Sequence, residues 1–370
     1  MKKNVGIKNN TFIFWQNIIS LHQASFLSSL SKINIVILVV EKSLDQRRIK
    51  DGWNIPDVGD CKIYNNPNFE ELNSIFSLPN AIHIFSGINA YPLTRKGFKI
   101  AIKKNVKIGI MTEPFRWLGI TGKLRFLKYF YYKIKYNRNI SFILTIGNRG
   151  RWCYEKIGFP VNKIFDWGYF TRNINIKLNN SNNLLPSLIY IGSLNKNKGI
   201  MPLLHILKKF EEKFSTFTII GDGTYSSIIE KCSHINPKKY IYIKNVPNTD
   251  IQLHLLRSDL CILPSILKEG WGCVINESLM CGTPVITSDY CGASVLINGI
   301  RGKVFSVKKN NLETILLNFF NEIPYTIEKR SIIQEWANAN ISGKSATEYF
   351  IKIIEFIFSN KNKPKVPWLI

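Results

Sequence analysis

Short apolar runs alternate with amphipathic segments of helical length along this chain, and the whole pattern occurs twice. Ile33–Val40, Ala81–Phe85, Val106–Met111 and Ile140–Ile146 are strand-sized and apolar on both faces, as the buried strands of a parallel sheet require. An asparagine-rich stretch, Asn173–Asn183, with only Ile174, Ile176 and Leu178 as apolar positions, then interrupts the pattern. It restarts with expected strands at Leu188–Ile191, Phe217–Ile220, Tyr240–Ile243, Leu260–Leu263 and Pro284–Thr287. Helices are expected between them at Met201–Phe214, Tyr225–Ser233, Asp250–Arg257 and Val274–Cys281. Strands alternating with helices predict βαβ units with right-handed crossovers, hence an α/β protein. At 370 residues the chain also exceeds the size at which one core usually keeps growing. The expected layout is a first Rossmann-like domain over 1–172, a linker over 173–186, a second such domain over 187–325, and C-terminal helices over 326–360. Leu312–Asn321 and Ile327–Phe358 read as helical, and Lys361, Lys363 and Lys365 as a basic tail.

Charge narrows the partners. Fifty Lys and Arg against 25 Asp and Glu give a formal net charge of +25, which favours an anionic partner: nucleic acid, an anionic membrane surface or a phosphorylated substrate. A general enrichment in Lys, Asn and Ile accounts for part of the excess. The aromatic-bearing strands of a recognised RNA-binding module are absent, so nucleic acid is not expected. Cysteines 61, 153, 232, 261, 273, 281 and 291 are odd in number and form no close CxxC pair. Neither a disulfide framework nor a zinc site is indicated, and a reducing cytoplasm fits. Met1-Lys-Lys-Asn is basic but leads into mixed, polar sequence, so no secretory leader is expected. The early apolar runs are too short to span a bilayer, which leaves a soluble or peripheral protein.

Three stretches of the second half suggest chemistry. In Tyr190-Ile-Gly-Ser-Leu-Asn-Lys-Asn-Lys-Gly199 a strand ends at Gly192, and Lys198 precedes a helix. Such a turn suits a phosphate, and it is equally an ordinary βα loop. Phe217-Thr-Ile-Ile-Gly-Asp-Gly223 ends another strand at Gly221, with Asp222 as apt to cap the next helix as to touch a ligand. The third is Lys268-Glu-Gly-Trp-Gly-Cys-Val-Ile-Asn-Glu277, where Gly270 and Gly272 open a helix between Glu269 and Glu277. The helix start favours an anion, and the two carboxylates accept from neutral hydroxyls on either side. Hydroxyls at both ends with a diphosphate between them describe a nucleotide-sugar.

These stretches, with His254-Leu-Leu-Arg-Ser-Asp-Leu-Cys-Ile-Leu-Pro-Ser265, Cys281-Gly-Thr-Pro-Val-Ile-Thr-Ser-Asp289 and Cys291–Phe305, resemble the family-4 retaining glycosyltransferases over about 188–305. The type is that of bacterial surface polysaccharide (O-antigen, lipopolysaccharide, capsule). The resemblance implies a GT-B fold: two Rossmann-like domains facing a central cleft, with C-terminal helices able to cross back to the first domain. It implies that Gly192, Ser193 and Lys198 address the donor diphosphate, with Gly221 nearby. Glu269 would contact the donor sugar and Glu277 the ribose. Gly270 and the amides of Gly272, Cys273 and Val274 would approach the sugar or β-phosphate, and the surroundings of Val246 would line the base. No metal and no cofactor is implied, the helix dipoles and Lys198 supplying the charge. Where the family carries a basic residue after the first glycine, this chain has Ser193. Either Arg149, Arg151 or Arg172 substitutes, or donor binding is weaker.

The first half reads less clearly. Phe14-Trp-Gln-Asn-Ile-Ile-Ser-Leu-His22-Gln23 stands where many members have a glycine-rich loop, and it resembles the start of surface-polysaccharide transferases. His22 is a candidate for the cleft or a structural residue. Glu113, after Ile108-Gly-Ile-Met-Thr, takes the place of a histidine common in the family, or is a plain loop residue. In Gly122–Arg138, Leu124, Leu127, Phe130, Tyr131 and Ile134 share one helical face beside Arg125, Lys128 and Lys135. That face suits an anionic membrane, and equally a packed helix with a solvated basic side. The expected enzyme moves a sugar from a UDP-sugar, or less favourably a GDP-sugar, to a polyprenyl-linked glycan at the inner face of the plasma membrane. A GT-B nucleotide-sugar epimerase and a non-enzymatic membrane or nucleic-acid binder are the alternatives.

Overall fold

The structure, a computed structural model, describes residues 10–44, 54–115, 119–174, 184–267, 269–322, 326–359 and 361–369. The start Met1-Lys-Lys-Asn, most of the expected linker, and Lys268 lie outside them. The chain forms two compact units. One combines its first residues with Asn54–Arg172 and Ile341–Ile370, and the other holds Asn173–Asn340.

The first unit is a parallel sheet of β1 (Thr11–Gln16), β2 (Ile35–Val40), β3 (Lys62–Asn65), β4 (Ala81–Ser86), β5 (Lys107–Thr112), β6 (Ile140–Ile146) and β7 (Ile164–Trp167). Their order is β3-β2-β1-β4-β5-β6-β7. Helices α1 (Leu21–Ser31), α2 (Phe69–Phe76), α3 (Pro92–Lys103), α4 (Gly119–Tyr136) and α5 (Gly150–Lys156) connect them. Phe14-Trp-Gln, read from the sequence as part of a loop, instead ends the central strand β1, every residue of which is buried. His83 sits in β4 with Nδ1 accepting from Trp15 Nε1 at 3.2 Å and its ring stacked on Phe76 at 4.6 Å. Burial pushes it down to about 3, so it is a neutral core residue.

The second unit is a parallel sheet of β8 (Leu188–Ile191), β9 (Phe217–Ile220), β10 (Tyr240–Ile243), β11 (Leu260–Leu263), β12 (Val285–Ser288) and β13 (Gly302–Phe305), ordered β10-β9-β8-β11-β12-β13. Its helices are α6 (Ile200–Lys208), α7 (Ser226–Ile235), α8 (Ile251–Leu256), α9 (Val274–Met280), α10 (Leu312–Asn321) and α11 (Ile327–Asn340). The apolar runs mark β8 to β11 to the residue. In each sheet the order reverses once, between β1 and β4 and between β8 and β11. In open parallel sheets the crevice beyond the carboxyl ends at such a reversal is where ligands bind.

The helix expected over Ile327–Phe358 is two. It breaks at Ile341-Ser342, where Ile341 O accepts from Thr171 N at 3.2 Å, and α12 (Gly343–Ser359) follows. A Cβ on Gly343 would stand 2.2 Å from Ser25 O, so α12 crosses back onto α1 at van der Waals contact. α11 stays with the second unit through buried Arg330, which donates to Leu256 O at 2.8 Å and Thr283 Oγ1 at 3.1 Å. The end of the chain is not a free basic tail. Val366, Pro367 and Trp368 are buried, and Lys363 Nζ donates to Val161 O at 2.9 Å.

Candidate active site

The loops after β8 and β11 flank the reversal of the second sheet, and their backbones are locked together. Asn197 O accepts from Ile266 N at 2.9 Å. Gly199 is left-handed at φ 71°, and a Cβ there would stand 2.1 Å from Pro264 O. Only glycine permits both the conformation and the approach. The lock sets Lys198, in the 3-10 turn Lys196–Lys198, against the loop carrying Glu269. Lys198 Nζ pairs with Glu269 Oε1, and Ser265 Oγ donates to Glu269 Oε2 at 2.6 Å. Glu269 N donates to Tyr290 O at 3.0 Å, which fixes the residue through main chain and side chain together.

The other glycines of the first two stretches serve close packing as well. Gly192 O lies 2.0 Å from the place of a Cβ on Gly221, so the loops after β8 and β9 touch backbone to backbone. Asp222, left open between capping and ligand contact, accepts from Ser226 Oγ at 2.6 Å and Gly223 N at 2.8 Å, tying down the start of α7. Ser193 is exposed, and its carbonyl accepts from Tyr190 OH at 2.8 Å. Val246 is half-buried in the loop after β10.

After Glu269 and Gly270 the chain buries Trp271, whose Nε1 donates to Asn276 Oδ1 at 2.7 Å. Gly272 follows at φ 98°, and half-buried Cys273 and buried Val274 lead into α9. Glu277 sits in the first turn of α9, keeps only partial exposure and has no side-chain hydrogen bond among the described residues. Burial pushes its carboxyl up to about 7. The structure thus brings Lys198, Glu269 and Ser265 into contact, and α9 carries Glu277 from the same loop. Ser265 was not singled out in the sequence. Its hydroxyl four residues before Glu269 is the signal that could have found it.

Two of the three cations considered for the Ser193 position are engaged in the first unit. Arg151 forks onto Asp166 at 2.7–3.0 Å and reaches Glu155 at 3.3 Å, while Arg172 pairs with Asp57 at 3.1 Å. Arg149 precedes α5. At the carboxyl edge of the first sheet, Tyr169 joins the other two candidates. Its OH donates to Glu113 Oε1 at 2.6 Å, and its ring stacks on His22 at 5.0 Å. The sequence marked His22 and Glu113 but not Tyr169, because β7 before it was not recognised as a strand.

Residues 172–316 match the family model described as glycosyl transferases group 1. The second unit is a group 1 glycosyltransferase domain, and the chain is a glycosyltransferase. A Klebsiella pneumoniae protein encoded in a cps region, itself uncharacterised, is 22% identical over 291 residues, 74% of this chain and 78% of that one. A Bacillus subtilis protein named as a glycosyltransferase of teichuronic acid biosynthesis is 32% identical over 108 residues, 29% of this chain and 26% of its own length. Among solved structures, Anabaena HepE in complex with UDP and glucose superposes with a TM-score of 0.63 over 93% of this chain and 99% of that one, at 12% identity. That likeness establishes the GT-B fold.

Proposed function

We propose that this glycosyltransferase moves a sugar from a nucleoside diphosphate-sugar, UDP-linked in preference to GDP-linked, to a surface glycan growing on a polyprenyl lipid. Transfer retains the anomeric configuration and needs no metal. The observation that carries the reading is the contact of Lys198 with Glu269 at the reversal point between β8 and β11. A donor diphosphate entering there takes over Lys198, and Glu269 is released to accept from hydroxyls of the sugar. The backbone around Gly192, Ser193 and Gly221 and the amides of Gly270, Gly272, Cys273 and Val274 line the phosphates and sugar. Glu277 accepts from the ribose, and Val246 borders the base. Lys198 and the oriented amides stabilise the charge that grows on the leaving diphosphate. His22 and Glu113 serve the acceptor.

No side chain is assigned as nucleophile. The acceptor hydroxyl attacks the face from which the diphosphate departs, the departing phosphate oxygen takes its proton, and configuration is kept. Trapping a covalent glycosyl-enzyme would overturn this step. The surface-glycan class is supported by the cps-region and teichuronic acid relatives. A lipid-borne acceptor places the enzyme at the cytoplasmic face of the membrane. No helix of the described residues is long and apolar enough to cross one.

Calorimetric titration with UDP, GDP and a panel of their sugars tests the site. One donor should bind selectively, and Lys198→Ala and Glu277→Ala should each weaken it about 10- to 100-fold, the worth of one charged hydrogen bond. No nucleotide binding would sink the reading. Conversion of one donor into another without acceptor would identify an epimerase instead.

A further inference from the structure

Helix α4 has two faces that differ in what they touch. Phe126, Tyr129, Tyr132 and Tyr136 pack against the core of the first unit, with Tyr129 stacked on Phe115 at 4.4 Å and Tyr136 edge-on to Phe98 at 5.1 Å. The opposite face carries Ile120, Leu124, Leu127, Tyr131 and Ile134, which are 53–82% exposed. These recur at steps of four and three residues, so they form one straight stripe along an 18-residue helix about 27 Å long. Phe130, 43% exposed, widens it. The apolar face expected from the sequence is therefore not a packing face, because the tyrosines on the other side do the packing.

Water is a poor cover for such a stripe, and its surroundings restrict what can replace it. Lys123, Arg125, Lys128 and Lys135 are all exposed around it, and α4 contains no acidic residue. The four-three spacing would suit a second copy packed as a coiled coil. The residues flanking such a seam include Lys123, Lys128 and Lys135 and no carboxylate, so a pair in either orientation would bring lysines together with nothing to neutralise them. Anionic headgroups meet each of these cations, and the acyl boundary takes the stripe.

We propose that α4 docks the enzyme on an anionic lipid bilayer, lying parallel to its surface with Leu124, Leu127, Tyr131 and Ile134 in the acyl boundary and the four cations among the headgroups. The proposal extends the lipid-borne acceptor of the proposed function by naming the element that makes the contact.

Co-sedimentation of the full chain with lipid vesicles, without nucleotide or acceptor, tests it. Vesicles containing phosphatidylglycerol should bind the protein, pure phosphatidylcholine vesicles should not, and high salt should release it. Lys123→Gln/Lys128→Gln/Lys135→Gln should lower binding about 100-fold. Leu124→Ser/Leu127→Ser should lower it at least about tenfold with the charge unchanged. Both variants should keep the parent's melting temperature and donor binding. Vesicle binding that ignores lipid charge or both variants would overturn the proposal. So would a dimer in sedimentation equilibrium that the Leu124→Ser/Leu127→Ser variant makes monomeric. Loss of vesicle binding with donor binding intact sinks this proposal alone, and the converse sinks the donor site alone.

Discussion

Glu277 holds a carboxyl near pH 7 in a place where nothing in the described protein hydrogen-bonds it. Such a group costs stability when it ionises, and the sign follows from proton counting. An unfolded glutamate loses its proton near 4.5, whereas the folded one keeps it to about 7. Between these values the native state binds more protons, so stability falls as pH rises through the window, and the full deficit is present above it. Glu277→Gln removes the titration. Urea melts should show the variant gaining up to about 3 kcal/mol over the parent above neutral pH, with the gain vanishing in acid. A difference that does not change with pH would refute the shift. Hydroxyls of a bound donor favour the carboxylate, so donor binding should release a proton below pH 7. Calorimetry in two buffers of different ionisation enthalpy measures that release.

The elements that build the site are loops, and their precision comes from glycines that touch other loops. Gly199→Ala combines a left-handed residue with a Cβ 2.1 Å from Pro264 O, and backbone cannot yield as a side chain would. It should cost at least about 2 kcal/mol and abolish donor binding by moving Lys198 away from Glu269. Gly299→Ala has a similar φ of 57° but meets nothing within 4 Å, and should cost only about 1 kcal/mol with binding unchanged. Thermal melts and calorimetry on the pair separate crowding from backbone preference. The same loops show what the sequence could disclose. Strands β8 and β11 were legible because burial on both faces leaves apolar runs, whereas β9 and the half-exposed β10 stood out through β-branched and aromatic residues. Lys198, Glu269 and Glu277 were legible because they follow such runs at loop and helix starts. β3, largely exposed, and β13, exposed at its two central residues, carry too few apolar residues to stand out. Tyr169 with Glu113, and Gly343 with Ser25, are meetings of distant residues that no local pattern encodes.

At the scale of the molecule, the two units are built differently along the chain. The described residues of the second come from one stretch, Asn173–Asn340, which carries its own closing helix in α11. The first is discontinuous, because α12 supplies part of its core. Phe350 lies 5.1 Å from Phe12, 5.4 Å from Phe26 and 6.2 Å from Trp167, with Tyr349 stacked on Trp167 at 5.8 Å. Burying Tyr349, Phe350, Ile353 and Ile354 is worth roughly 2 kcal/mol each, so α12 contributes on the order of 8 kcal/mol. That is comparable to the whole stability of an ordinary domain, about 5–15 kcal/mol. A fragment of residues 1–172 should therefore lack cooperative unfolding, and joining residues 341–370 to it through a flexible linker should restore a single transition. A fragment of residues 173–340 should unfold cooperatively by itself. Circular dichroism melts of the three decide the matter. A folded 1–172 fragment would mean that α12 covers a core already stable without it, whereas an unfolded 173–340 fragment would mean that the second unit depends on the first.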